Sequence, residues 1–80
     1  MDEQIEREVG RINGILGAKG VTLYTVKRGG SYSIFLEKPG ERRTLKSLLY
    51  HGISGMECYL LLSNTRTIRE SNFPGIARCF

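Results

Sequence analysis

Few side chains in this sequence have the chemistry of a catalytic centre. His51 is the single histidine, and Cys58 and Cys79 are the thiols that it would have to activate in a nucleophilic dyad. Cys58 lies in a strongly apolar segment, which predicts burial, and no pair of acids is placed as in a glycosidase. The chain also lacks CxxC and CxxH spacings, which disfavours a structural zinc site. We therefore expect a protein that is not an enzyme and uses neither a cofactor nor a metal.

The two cysteines leave the redox state of the chain open. A disulfide between Cys58 and Cys79 is one alternative, and two reduced thiols in the cytoplasm are the other. Residues 1–8 are acidic and amphipathic, unlike a signal or transit peptide. No run of about 18 apolar residues predicts a membrane span. These features favour a cytoplasmic protein with reduced cysteines.

The Gly29–Gly30 pair is a candidate anion cradle, because consecutive backbone N–H groups can hold a phosphate. However, the pair joins two predicted strands and does not open a helix, and the P-loop and dinucleotide-binding motifs are absent. The pattern is more typical of a plain hairpin turn.

Basic residues are the stronger indication of a binding function. The formal net charge is +4, but residues 1–8 hold four carboxylates and one arginine, whereas the remainder holds eleven basic and four acidic side chains. This asymmetry permits either nucleic acid or an acidic protein surface as the partner. The candidate nucleic-acid-binding residues lie at or near the two predicted hairpin tips: Lys27, Arg28, Arg42, Arg43 and Lys46. Successive hairpin tips lie at opposite ends of a sheet, so a scattered, solubilising distribution is the alternative.

Protein binding would use a different set of residues. Aromatic side chains anchor many interfaces, and the candidates expected to be exposed are Tyr24, Tyr32, Phe35 and Tyr50. Acidic side chains near the N-terminus can imitate phosphates in front of a basic channel, or they can form an ordinary solvated helix face: Asp2, Glu3, Glu6 and Glu8.

Apolar periodicity predicts the elements that position these residues. Ile5, Val9, Ile12 and Leu16 recur at helical spacing and predict a helix over Asp2–Leu16 that packs on a sheet or on a second copy. Gly10 and Gly14 are expected to allow close packing of this helix on the sheet.

Three strands should follow this helix. Residues 21–27 and 31–37 predict a hairpin. Residues 42–50 predict a third strand with Thr44 and Leu48 in the core, although residues 45–49 also fit a helical turn. This assignment leaves His51 in a loop.

The motif Ser54-Gly55-Met56-Glu57 matches a capping box, so a second helix should begin at Ser54. Residues 56–62 are apolar almost all round, which predicts a helix that packs on several sides or meets a partner. Pro74 then prevents further helix, and residues 71–80 form a tail that either docks or frays.

The element order predicts one α+β domain over residues 1–80. Hairpin connections make the three-stranded sheet antiparallel, and two helices cover it, which gives a two-layer α-β-β-β-α arrangement.

This order resembles the double-stranded RNA-binding domain, and the resemblance implies nucleic-acid binding. The family carries a lysine cluster at the start of its second helix, where this chain has Ser54-Gly55-Met56-Glu57. Its first helix contacts the minor groove, whereas the first helix here is acidic. The resemblance therefore covers topology, and RNA binding would rest on the basic hairpin residues.

The chain also resembles the small accessory proteins of bacteriophages and mobile elements, including the anti-CRISPR inhibitors. The shared features are a length of 80 residues, an N-terminal amphipathic helix, a short meander and a compact second helix. The resemblance implies stoichiometric, non-enzymatic binding to a protein or ribonucleoprotein complex. The spacing of apolar residues in the first helix leaves a monomer and a homodimer open, and the lack of a long apolar run argues against a membrane partner. A nucleic-acid-binding module is the alternative.

Overall fold

The computed structural model describes residues 1–64, 68–69 and 73. Helix α1 spans Asp2–Leu16, and a 3-10 turn follows at Gly17–Lys19. The remaining elements are β1 (Thr22–Arg28), β2 (Ser31–Lys38), β3 (Leu45–Ile53) and helix α2 (Gly55–Ser63). The strands form one antiparallel sheet in the order β1-β2-β3. The α+β fold predicted from the sequence is confirmed.

Both helices pack against the same face of the sheet. Helix α1 contacts α2 and β1, and α2 contacts β2. One cluster of buried side chains joins the two layers, and it consists of Ile5, Ile12, Leu16, Val21, Leu23, Tyr32, Ile34, Leu36, Ile53, Cys58, Leu62, Ile68 and Phe73. Burial of this apolar surface is the main force that holds the helices on the sheet.

The apolar residues at helical spacing in α1 face the core, as the sequence predicts. Ile5, Ile12 and Leu16 are buried. The expected role of Gly10 and Gly14 is wrong, because both lie on the exposed side of the helix. Among the described residues, a Cβ added at either glycine would meet no atom within 4 Å.

Asn13 fastens α1 to the edge of the sheet. Its Nδ2 donates to the Leu23 carbonyl oxygen at 2.9 Å, and its Oδ1 accepts from the Leu23 N–H at 2.7 Å. Because β1 is an edge strand of the described sheet, these two backbone groups have no partner there among the described strands. The side chain of Asn13 therefore supplies the hydrogen bonds that another strand would otherwise make.

Strand β3 differs most from the prediction. It begins at Leu45 and not at residue 42, so Thr44 lies in the preceding loop, and Leu48 is 51% exposed on the outer face. Two register irregularities in the β2–β3 pairing change the alternation of side chains. The strand continues to Ile53, so His51, expected in a loop, lies within it. Gly52 adopts a φ of 69°, a backbone conformation that glycine permits without strain.

Helix α2 begins as the capping box predicts. Ser54 is the N-cap residue, and its Oγ accepts from the Glu57 N–H at 3.1 Å. Cys58 and Leu62 face the core, whereas Met56 and Leu60 are more than half exposed. Neither α1 nor α2, the helices of the described ranges, has the length and apolar character needed to cross a bilayer.

The predicted tail is described at one residue. Phe73 is buried in the core cluster. The other tail residues and Cys79 lie outside the described residues.

Candidate binding surface on the open face of the sheet

The helices cover one face of the sheet, and no described element covers the other. Strand alternation places Tyr24, Phe35 and Leu48 side by side on this second face, because they are register partners across β1, β2 and β3. We call this surface the open face. It forms a shallow depression of about 480 Å³ lined by Tyr24, Val26, Arg28, Ser31, Ser33, Phe35, Lys46, Leu48, His51 and Gly52.

A stacked aromatic pair lies on the open face. The Tyr24 and Phe35 rings are nearly parallel, with an interplanar angle of 13° and centroids 5.1 Å apart. Such offset stacking is a favourable arrangement for cross-strand aromatic side chains. Tyr24 and Phe35 are half-buried, and Val26 and Leu48 on the same face are exposed. The open face therefore combines rigid rings with exposed aliphatic surface.

Lys46 adds a cation above the aromatic pair. Its Nζ lies 5.5 Å from the Tyr24 ring centroid and 5.2 Å from that of Phe35, within the range of a cation–π contact. Interaction with the Tyr24 hydroxyl raises the pKa of Lys46 above its ordinary value, and the charge of Glu37 raises it further. Lys46 therefore stays protonated over the physiological pH range.

Ser33 and His51 meet across β2 and β3 on the open face. The Ser33 Oγ and the His51 Nδ1 are 3.0 Å apart, which is the separation of a nucleophile and its general base. Within the described residues, however, no carboxylate is hydrogen-bonded to the His51 ring to orient it. We therefore interpret the pair as a polar cross-strand contact.

The basic residues predicted for nucleic acid separate into two groups. Arg28 and Lys46 line the open face near its opposite ends, and Arg42 and Arg43 are exposed in the loop between β2 and β3. Lys27 lies on the helix-covered face, where its Nζ is 3.2 Å from the Asp2 carboxylate and 5.6 Å from the Tyr32 ring centroid. The contact with Asp2 raises the pKa of Lys27.

The predicted aromatic candidates also divide between the two faces. Tyr24 and Phe35 form the stacked pair, but the expected exposure of Tyr32 is wrong, because only 7% of this residue is exposed. Its ring lies in the core, and its hydroxyl donates to the Asp2 carboxylate. Tyr50 is half-buried against the same core cluster. Alternation along β2 places Tyr32 on the same face as Ile34 and Leu36. The β2–β3 register then sets Tyr50 opposite Ile34 on that face.

Two of the four acidic candidates on α1 have internal partners. Hydrogen bonds from Tyr32 and then Lys27 lower the pKa of Asp2. Glu8 accepts from the Arg11 Nε at 2.7 Å, and Arg11 also donates to the Leu62 carbonyl oxygen of α2 at 3.2 Å. Glu3 and Glu6 are exposed, and among the described residues no ion pair forms with either. Phosphate imitation by α1 stays a prediction. Two of its four candidate carboxylates, Asp2 and Glu8, already form ion pairs within the protein.

The sequence did not identify Val26, Ser33, Leu48 and His51 as part of a common surface. Alternation along β1 could have indicated part of this surface, since it places Tyr24 and Val26 on one face of the strand and Leu23 and Thr25 on the other. No comparable signal exists for His51, because the irregular register of β3 beyond Leu48 sets its position.

The described cysteine is poorly placed for chemistry. Cys58 is a free thiol within the described part of the chain, and it is buried. Burial raises the pKa of this thiol, which disfavours the nucleophilic thiolate. Across the described positions, no group of three His, Cys, Asp or Glu side chains is arranged to hold a metal ion.

Comparison with known proteins finds no relative of this chain. No protein-family model matches it, and no curated protein or solved structure matches it either. The functional conclusion therefore depends on the geometry of the open face.

Proposed function

We propose that this protein is a non-enzymatic binding module that acts stoichiometrically, with the open face as its recognition surface. The observation that carries this proposal is the stacked Tyr24–Phe35 pair on a sheet face that no described element covers. The partner is a protein or ribonucleoprotein complex, as the resemblance to phage accessory proteins of the anti-CRISPR type implies.

The open face has the physical properties of a recognition surface. Its rings and its Leu48 side chain offer apolar area that gains free energy when a partner removes it from water, at about 25 cal/mol per Å². The rings are held by a hydrogen-bonded sheet, so little conformational entropy is lost on binding. The polar groups around them can fix the orientation of the partner.

The chain offers a matched pair of variants to test this proposal. Leu48 lies on the open face and is 51% exposed, whereas Leu60 lies on α2 and is 56% exposed. Because neither side chain is buried, Leu48→Glu and Leu60→Glu should both fold. Circular dichroism and a thermal melt would verify this for each variant.

The experiment is quantitative affinity capture from a bacterial lysate, with wild type and both variants as bait. Bound protein and bound nucleic acid are measured separately against the bait. We expect stoichiometric recovery with wild type and Leu60→Glu, and at least a tenfold loss with Leu48→Glu, because about 1.4 kcal/mol of lost binding energy is a factor of ten. Equal recovery with all three baits, or loss only with Leu60→Glu, would contradict the proposal.

A further inference from the structure

We infer that the segment recognised by the open face is single-stranded nucleic acid, with a base stacked on the aromatic pair and phosphates held by Lys46 and Arg28. This inference rests on the proposed function and names the class of partner. Ring stacking, the distribution of charge and the shape of the sheet each support it.

The outer face of the Tyr24 ring is the part of the aromatic pair on which a further ring could stack. Phe35 on the central strand β2 covers one side of the Tyr24 ring and has Leu48 of β3 as its neighbour on the other side. Tyr24 belongs to the edge strand β1, and no strand of the described residues lies beyond it. A nucleobase on this side would extend the stack by one ring, and such stacking tolerates any base because every base has a π-face.

The charge of the open face suits a polyanion. Arg28 lies toward the β1–β2 hairpin, and Lys46 lies toward the other end of the sheet, next to the loop that carries Arg42 and Arg43. The carboxylates of α1 lie in the opposite layer. On the outward side of the described strands, Glu37 is the one carboxylate, and it is half-buried beside Lys46. A phosphate backbone crossing this face would meet cations at both ends.

The same features disfavour a second copy of the chain and a duplex. If two open faces packed together, the Lys46 and Arg28 side chains of both copies would be buried in one interface. Desolvation and repulsion of these like charges would disfavour such a dimer. In a duplex the base faces are already stacked on one another, and this sheet presents rings and no element shaped to enter a groove. A single strand has both free base faces and phosphates.

Lys46 would change partners when the strand binds. In the free protein its ammonium group lies above the two rings. Since lysine has a flexible four-carbon stem, the group can swing from the rings to a phosphate as the base stacks. Lys46 therefore keeps the aromatic surface partly covered until a polyanion arrives.

Fluorescence anisotropy with defined oligonucleotides tests this inference on the full chain. The probes are labelled single strands of about 12 nucleotides, in DNA and RNA, and the matching duplexes. We expect single strands to bind more tightly than duplexes at about 50 mM salt, with affinity that falls steeply toward about 200 mM. Tyr24→Ala should weaken single-strand binding about 5- to 150-fold, and Tyr24→Phe should restore it because the ring is retained.

Two lysines provide a matched charge comparison. Lys46→Gln should reduce the slope of log K against log[salt] by about 0.7, the value for one phosphate contact on a single strand. Lys27→Gln removes the same charge from the opposite face, where Lys27 contacts Asp2, and should leave the slope unchanged. Circular dichroism of each variant would verify that the fold is retained.

Several results would overturn the inference. The first is the absence of single-strand binding up to about 100 μM protein at low salt. The second is tighter binding of the duplex than of the single strand. The third is an equal reduction of the salt slope in Lys27→Gln and Lys46→Gln. A wild-type dimer that Leu48→Glu converts to a monomer would assign the face to a second copy instead. If the oligonucleotides fail to bind but Leu48→Glu still loses a captured protein, the inference fails and the proposed function stands.

Discussion

Removal of the Asn13 side chain should weaken the attachment of α1 to the edge of the sheet. In Asn13→Ala, the Leu23 N–H and C=O groups lose hydrogen bonds of 2.7 and 2.9 Å in a partly buried site. Each bond contributes about 1 kcal/mol to the free energy of unfolding. Alanine returns roughly 0.5 kcal/mol through its higher helix propensity. The expected net loss is about 1.5 kcal/mol, which for a domain of this size lowers the Tm by about 6–12 °C.

Two assays check this value at different levels. Urea denaturation followed by circular dichroism gives the global loss of stability, and native-state hydrogen exchange reports the Leu23 amide itself. Gln4→Ala on the same helix is the matched control, because Gln4 is exposed and should stay within about 0.5 kcal/mol of wild type. Wild-type stability and an unchanged exchange rate of the Leu23 amide in Asn13→Ala would show that the Asn13 hydrogen bonds do not stabilise the edge of the sheet.

Three further predictions concern stability. Gly10→Ala should stabilise the domain by about 1 kcal/mol in urea denaturation, because its Cβ meets no described atom within 4 Å and alanine favours helix; a lower midpoint would contradict the exposed position of Gly10. Gly40→Ala should destabilise the domain by about 1–3 kcal/mol in the same assay, because an added Cβ would collide with the Arg43 carbonyl oxygen; an unchanged midpoint would show that the loop relaxes freely. Asp2 has a pKa lowered below its ordinary value of 3.8, chiefly by Tyr32, so its stabilising contribution is present above that pH and is lost as the pH falls through the folded-state pKa. The stability difference between wild type and Asp2→Asn should therefore shrink between neutral pH and about pH 3, whereas a constant difference across that range would argue against the contact.

Local signals in the sequence were sufficient for the helices and the first hairpin. The start of α2 depends on residues three positions apart, Ser54 and Glu57, and the structure forms that hydrogen bond. The turn at Gly29 needs a positive φ, and the observed value is 61°. These features depend on neighbouring residues alone, so the sequence pattern contains all that is needed.

Long-range features were beyond the same reasoning. Asn13 meets Leu23 across ten positions of sequence, and an asparagine within a helix is usually a solvated residue. Likewise, the partial exposure of Tyr24 depends on which face of the sheet the helices cover. Apolar alternation in β2 indicates that Tyr32, Ile34 and Leu36 face the core. The side chains of β1 show no comparable contrast between their two faces. The sequence therefore identified Tyr24, Phe35 and Lys46 as candidate binding residues, but it did not show that they lie together on one surface.

The irregular register of β3 explains why Tyr50 packs against the core and why His51 lies on the open face. Strict alternation from Leu48, which faces outward, would place Tyr50 outward and His51 inward. The irregularities instead set Tyr50 opposite Ile34, on the core side of the sheet, whereas Ile53, opposite Tyr32, faces the core with or without them. They also turn His51 outward to Ser33. Because the same irregular segment turns Tyr50 toward the core and adds His51 to the open face, the packing of the sheet and the composition of the proposed recognition surface depend on the same feature.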